Sequence, residues 1–490
     1  MSNQKEKVPS LATKTVRVVF AALLLDILAF TIILPLFPRL LQDYREREQG
    51  DETTLLSLFL HQIQLFRTFT GGGINPKWDL VLLGGALGSL YSFLQFVASP
   101  VIGTFSDKYG RRNTLLVTMI GNILSTFIWL FSKSFGWFVL SRVVGGLSEG
   151  NVQLSVAIVS DVTTKETRSK GLALVGIAFA VSFTIGPALG AFFASVDLSN
   201  TFPQLVEWGL NPYSMPALVA LLLLCVETLY LYLFLPETVK TSKESSADSD
   251  LSSNTLQSSS MKQRLKNLTI LSWIHLVYLF IFSGMEFTLT FLTFDLFDFT
   301  NMQNGKLLGY IGILSAIIQG GYVRRVAHKV GEKKLVVQGV LSCAISLSII
   351  ASLTSLPNGI LWLYVGATFL SFTSATVVNC LTSIASMQCD GDGDGDEWRD
   401  GALKQVTPEN DDILKKSKDA GGEIARGKAL GNFRSFGQLG RASGPIAACG
   451  LYWMTGSEKC YGLGALSMLI IFIIVILKIP FVQKARPKKE

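Results

Sequence analysis

Apolar runs long enough to cross a bilayer, each closed by a short polar or charged break, recur from one end of the chain to the other. A membrane-spanning helix needs ~20 mostly apolar residues. The runs predict spans near 17–41, 80–103, 113–132, 135–159, 171–195, 214–235, 269–294, 306–324, 334–353, 359–385, 427–453 and 461–480. Glycine and proline inside several runs fit this reading, since both are commoner in membrane helices than in soluble ones. The runs are too long and too continuously apolar for barrel strands, which alternate over ~10 residues. The pattern predicts an all-α multi-pass membrane protein with twelve transmembrane helices.

The breaks divide the chain. Residues 1–16 are polar and basic, and a long polar loop, 42–79, follows the first span. Segment 239–268 is rich in serine and charge (SKESSADSDLSSNTLQSSS) and reads as a linker between two six-helix halves, 17–238 and 269–482. Segment 388–426 opens on an Asp-Gly repeat, and a basic tail occupies 483–490. The three long polar segments read as mobile. The first apolar run is too long for the core of a cleaved signal peptide and is taken as the first span.

Composition supports this picture. Only 16% of the residues are charged and the mean hydropathy is +0.42, against ~25% charged in soluble domains. An ordinary soluble globule and a disordered chain are both excluded. The net charge of +7 invites a nucleic-acid reading, which its distribution removes. If the N-terminus is cytosolic, 31 of the 43 lysines and arginines fall in cytosolic segments and 8 in external loops. That asymmetry follows the positive-inside rule and places both termini in the cytosol. The six cysteines include no external pair, and three histidines without a cysteine cluster give no metal site. No cofactor and no nucleic-acid partner are expected. The expected partners are the lipid bilayer and a small solute, with the chain monomeric in the plasma membrane or an endomembrane.

One loop carries a signature. After the second span comes Gly103-Thr104-Phe105-Ser106-Asp107-Lys108-Tyr109-Gly110-Arg111-Arg112. It resembles the G-x-L-a-D-r-x-G-r-[kr] loop of the major facilitator superfamily, with Phe105 and Lys108 departing from the usual residues. Ser141-Arg142-Val143-Val144-Gly145-Gly146 is similar to that family's R-x-x-x-G motif. Gly186-Pro187-Ala188-Leu189-Gly190, ten residues after Gly176, is similar to its antiporter-associated G-P-x-x-G motif. Leu235-Pro236-Glu237-Thr238 resembles the usual end of its first half. Three patches, around Asp26, Glu149 and Glu286, look like the tetracycline-transporter-like branch, described as carrying organic anions. The resemblance implies two six-helix halves around a central cavity that opens alternately to each side. It also implies that Asp107 and Arg111, with Asp161, form a charge cluster that holds the cytosolic side closed, Asp107 facing the N-terminus of span 11. Gly103, Gly110, Arg112, Gly186 and Pro187 belong to the same gating set. Counted from Gly321, the second half has Arg325 in the slot of Asp107, so no matching cluster is expected there. The Gly-Pro pair does recur, as Gly186-Pro187 in span 5 and Gly444-Pro445 in span 11.

A charge at mid-bilayer costs ~2.5–3.5 kcal/mol on insertion scales, so such residues need a reason. Asp26 lies in span 1. Arg142, Glu149 and Gln153 share one face of span 4; Glu286, Thr290 and Thr293 one face of span 7; Arg434, Gln438 and Arg441 one face of span 11. These stripes read as cavity walls. Arg142 and Glu149 either line the cavity or pair with each other. Glu227, among leucines, reads as a quietly packed or snorkelling residue. Arg434 reads as a gate residue and Arg441 as the anion contact, since a guanidinium offers a carboxylate two parallel hydrogen bonds. Asp26 and Glu286 are either proton-coupling groups, since burial moves a carboxyl pKa toward neutrality, or fixed counter-ions for arginine.

Several matches carry no function. Asp390, Asp392, Asp394 and Gly395 begin like a calcium loop, but the closing glutamate is replaced by Gly401. Asn267-Leu268-Thr269 is a cytosolic and silent sequon. No Walker loop or nucleophile elbow occurs, so neither an ATP-driven pump nor an enzyme is expected. The function expected is secondary transport of a small amphipathic organic anion, with proton coupling open. The alternatives are a transporter-fold sensor without net transport and a drug/proton antiporter for other solutes.

Overall fold

The computed structural model describes residues 11–33, 36–71, 76–164, 167–196, 198, 204, 207, 209–211, 213–238, 254–390 and 424–479. All regular structure among them is helical. In chain order the helices begin with α1 (Leu11–Thr31), α2 (Phe37–Arg47), α3 (Leu55–Thr70), α4 (Pro76–Tyr109) and α5 (Arg111–Leu130). Next come α6 (Phe135–Ser148), α7 (Asn151–Val162), α8 (Arg168–Phe193), α9 (Ser214–Phe234), α10 (Asn254–Phe297) and α11 (Asn301–Ile317). A π-helical turn, Ile318–Val323, joins α11 to α12 (Arg324–Val330). The chain then runs through α13 (Glu332–Ala351), α14 (Gly359–Met387), α15 (Arg426–Thr455) and α16 (Ser457–Lys478).

Among the described residues nine helical stretches are long and apolar enough to cross a membrane. They lie in α4, α5, α8, α9, α10, α11–α12, α13, α14 and α16. Three predicted spans fall outside that set. α1 carries Lys14, Arg17 and Asp26, and α15 is rich in glycine and carries four basic residues. The predicted span 135–159 is two helices, because Glu149 leaves helical geometry at ψ 92° and α7 starts only at Asn151.

Boundaries differ elsewhere for local reasons. The end of the predicted first span belongs to α2, which opens with a proline in its first turn, where no amide partner is lost. The predicted polar loop 42–79 contains α3. The Thr54 side chain accepts from the Ser57 amide at 3.2 Å, and Gly71 closes the helix at φ 72°. α10 extends back to Asn254, into the predicted linker. Residues 239–253 of that linker and 391–423 of the predicted loop lie outside the described residues, as do 1–10 and 480–490.

The helices meet closely at glycines. α15 packs along both α4 and α10, and α1 along α8. A Cβ at Gly103 would overlap the Gly427 carbonyl, and a Cβ at Gly444 would overlap the Phe280 carbonyl. Small residues at such crossings allow backbone-to-backbone approach. At Gly186 a Cβ would overlap the Thr31 hydroxyl, which donates to the Ser182 carbonyl at 3.0 Å. Both Gly-Pro pairs therefore sit at helix crossings, α8 on α1 and α15 on α10.

A second repeat is conformational. Gly110, between α4 and α5, has φ 93°, and Gly331, between α12 and α13, has φ 92°. Both values are open to glycine and strained for other residues. Matching these turns corrects the register read from sequence, because the slot of Asp107 then falls on His328 instead of Arg325. Neither residue is an acid.

The packing generates a test. Gly444→Ala should lower the melting temperature of the purified chain, since the new methyl meets backbone that cannot yield, and overpacking costs ~1–3 kcal/mol. Gly88→Ala, with nothing within 4 Å of the added carbon, should leave it unchanged or raise it. Equal melting temperatures for the two variants would remove the close-approach argument.

Candidate functional site

At one end of the bundle the signature loop is tied down by a chain of alternating charges. The turn itself is held by Glu237. Its carboxylate accepts from the Arg111 amide at 2.8 Å and the Arg112 amide at 3.1 Å, filling unpaired donors at the start of α5. Asp107 crosses from α4 to α15. It accepts from the amides of Gly427 at 2.8 Å and Lys428 at 2.7 Å, the first turn of α15. A carboxylate there satisfies orphan donors and meets the positive end of the helix dipole.

From Asp107 the charges alternate inward. Arg111, 2% exposed, donates to Asp107 at 2.8 Å, Ser106 at 2.6 Å and Asp161 at 2.9 Å. Asp161 also accepts from Arg426. Arg426 donates to Asp390 at 2.6 Å. Arg168, fully buried, reaches the same carboxylate at 2.6 and 3.3 Å and the carbonyls of Ser160 and Thr163. Arg264, from the start of α10, donates to the Asp390 carbonyl. Every acid in the chain of charges touches at least one guanidinium. Removing one member of a buried pair strands its neighbour, at ~3–5 kcal/mol.

The mid-helix charges form a second group. Asp26, 5% exposed, accepts from the Asn151 side chain at 2.6 Å. Asn151 is the first residue of α7, so the helix break presents it to α1. Glu149, at the break, accepts from Tyr91 at 3.4 Å and Asn122 at 3.5 Å. Arg434 lies within electrostatic reach of Glu149 and Asp26, and Arg441 within reach of Glu286. Among the described residues neither arginine forms an ion pair or hydrogen bond with a carboxylate. Glu286 and Arg441 are both exposed although they sit mid-helix.

Several sequence expectations change. Arg142 does not pair with Glu149. Its guanidinium lies over the rings of Trp129 and Phe138, 5.5 and 5.3 Å from their centres, a cation–π arrangement. Gln153 leaves the predicted stripe, because its amide donates to the Ser99 carbonyl at 2.8 Å and fastens α7 to α4. Glu227 is packed inside and does not snorkel. It is 1% exposed, its Oε2 has no hydrogen-bond partner, and it lies within reach of Asp26 and Glu149. Arg112, read as part of the gating set, holds α5 to α9 through the Tyr232 carbonyl at 2.7 Å. Gly103 makes room for Gly427, Gly110 supplies the turn, and Gly186-Pro187 lies at the α1–α8 crossing, away from the network.

Sequence reasoning missed Arg168, Arg264, Arg426, Asp390 and the role of Glu237. Asp390 was hidden at the head of the Asp-Gly repeat, and the arginines among loop charges. The available signal was position: Arg168 and Arg426 each start a helix, where surplus positive charge opposes the dipole unless an acid faces it.

The network has a built-in reporter. Cys389, beside Asp390, is fully buried, and burial pushes its thiol up to about 12. A thiol so placed is unreactive at neutral pH, while an exposed one returns toward ~8.5. Asp107→Asn or Arg426→Ala should raise the rate of Cys389 alkylation at least severalfold, followed by peptide mass spectrometry. Parent-like labelling in both variants would mean that the network does not hold this end shut.

Comparison with known proteins agrees with this architecture. The sequence profile of the Major Facilitator Superfamily matches residues 19–392. Major facilitator superfamily domain-containing protein 10 of Mus musculus is 33% identical over 484 residues, covering 95% of this chain and 93% of that protein. Its Homo sapiens counterpart is 34% identical over 465 residues, covering 91% and 89%. The Escherichia coli class B tetracycline resistance protein is 24% identical over 319 residues, covering 65% and 68%. The crystal structure of the human organic anion transporter MFSD10 (TETRAN) superposes with a TM-score of 0.77 at 32% identity, covering 95% of this chain and all of that one. With the signature loop, the helix crossings and these relatives in agreement, the chain belongs to the major facilitator superfamily of membrane transporters.

Proposed function

We propose that the chain moves small amphipathic organic anions across a membrane as a secondary transporter, by alternating access of two six-helix halves. The observation that carries this reading is Arg441 within electrostatic reach of Glu286, both exposed mid-helix on α15 and α10 and with no ion pair between them. An arginine exposed mid-helix without a bound carboxylate is a site for one. Twelve spans follow if α1, the broken α6–α7 pair and α15 are added to the nine apolar stretches. Positive charge in the loops supports cytosolic termini. The ion network then closes the cytosolic side. The human relative of solved structure is an organic anion transporter, which supports the substrate class.

A drug/proton antiporter is the second reading, favoured by the convergence of Asp26, Glu149 and Glu227. Three carboxyl groups within mutual reach, opposed by Arg434, offer a place where a proton can be loaded and unloaded.

Uptake of labelled carboxylates into liposomes holding the purified chain tests the first reading. Arg441→Ala should raise KM about tenfold or more, since a hydrogen bond to a charged group contributes ~1.5–3 kcal/mol, and Arg441→Lys should recover part of the loss. Uptake no greater than in empty vesicles across a panel of organic anions, with and without a pH gradient, would sink it. If uptake follows a pH gradient, Glu227→Gln should change that dependence while anion KM stays near the parent value.

A further inference from the structure

α3, in the segment read from sequence as a polar loop, does not stand clear of the bundle. It packs on α4 and α15 and walls a cavity of about 350 Å³. That is near the lower end of the ~300–1,000 Å³ range of small-molecule sites. Its wall is almost wholly apolar: Leu58, Ile63 and Phe66 from α3, Leu82 from α4, Phe287 from α10 and Ile446 from α15. Phe66 also packs on Trp453 of α15, ring centres 6.2 Å apart. The helix is fixed at both ends by its Thr54 and Gly71 caps. Arg67 ties it to Asp79 of α4 at 2.5 Å. The anchored helix thus forms one side of a partly open apolar recess between α4, α10 and α15.

The position of this space relative to the charged pair gives it meaning. Pro445 lines it, and Arg441 lies four residues earlier on the same face of α15, about 6 Å along the axis. Phe287 lines it too, and directly follows Glu286. The apolar cavity and the exposed arginine are therefore consecutive stations along one pair of helices.

We propose that the α3-roofed cavity is the subsite for the apolar body of an amphipathic organic anion whose carboxylate is held by Arg441, with α3 setting how much apolar bulk is accepted. This rests on the anion-transport reading. Gln62, Ser89 and Cys449 are the polar-atom-bearing side chains in the wall. None is charged, so the carboxylate has no ionic partner inside and stays at the arginine. Chain length is then read by the cavity and charge by Arg441.

A homologous series of straight-chain monocarboxylates, competing with one labelled anion for uptake into liposomes, separates the two stations. A buried methylene contributes ~0.8 kcal/mol, or about fourfold in affinity. In the parent chain the inhibition constant should fall about fourfold per added methylene and level off once the cavity is full. Ala86→Trp fills the space from α4 and should flatten that dependence, with the shortest acids bound as in the parent. Leu58→Gln enters from an exposed position on α3 and should make the slope shallower, giving a second reading if the tryptophan variant does not fold. Arg441→Ala should weaken every member of the series by a similar factor. Uptake by the parent with the same length dependence in parent, Ala86→Trp and Leu58→Gln overturns this inference and leaves anion transport standing. No uptake of any anion by the parent overturns the transport reading itself.

Discussion

The carboxylate of Asp107 on the first amides of α15 is the contact on which this end of the molecule depends. α15 is a poor membrane helix by composition, carrying Arg426, Lys428, Arg434 and Arg441 among its glycines. Its glycines press it against α4 and α10, so its orphan N-terminal donors face α4. Those donors need an acceptor, and Asp107 comes from the opposing helix. One side chain thereby caps a helix, offsets a dipole and fastens two elements. Because Arg111, Asp161, Arg426, Asp390 and Arg168 follow in alternation, each charge is solvated by its neighbours in place of water. Such a chain is costly when half made, which favours two conditions, fully joined or fully parted. On the proposed reading, a cytosolic gate needs that property.

How much of this was legible in the sequence varies with the kind of information involved. The signature loop could be read because its demands are local: a glycine at φ 93°, an acid three residues before it and an arginine just after. The placement of Asp107 on α15 also followed, since the resemblance named the partner helix. Asp390 could not be read, because its significance comes from Arg168, Arg264 and Arg426 converging on it across the fold. Among seven residues of alternating Asp and Gly, nothing local marks the first as buried. α3 was missed because apolar residues are interleaved with His61, Gln62, Gln64 and Arg67, the pattern of an amphipathic helix packed on others and too polar for a span. The Thr54 cap was the available clue.

The break at Glu149 shows the opposite error. Hydropathy sees a continuous apolar run and predicts one helix, but the backbone leaves helical geometry where Glu149 and Gly150 stand. The consequence is chemical. The break frees the first turn of α7, lets Asn151 reach Asp26, and brings Glu149 to Tyr91 and Asn122. Broken helices in membranes persist where the exposed backbone lines protein or a cavity. The clustering of Asp26, Glu149 and Glu227 around this point fits that rule. Arg142, by contrast, singled out for its charge and its place in the R-x-x-x-G stretch, lies over aromatic rings, where its charge is met by ring electrons instead of a carboxylate.

On the proposed reading these features converge on α15, which contributes to the network, the charged group and the apolar cavity along its length. Its first turn is capped by Asp107, Arg426 joins the network, Arg434 faces the acids, Arg441 meets the anion, and Pro445 and Ile446 wall the apolar cavity. The helix is long and gripped on both sides, so its N-terminus is not free to move while its middle stays still. Parting the network displaces α15 relative to α4. Because α4 and α15 each supply part of the cavity wall, the same displacement changes the space offered to the solute. On this reading gate and site are coupled through one continuous helix, and no separate relay between them is required. An occupied cavity resists closing differently from an empty one, and that difference in free energy is what lets a bound solute bias the gate.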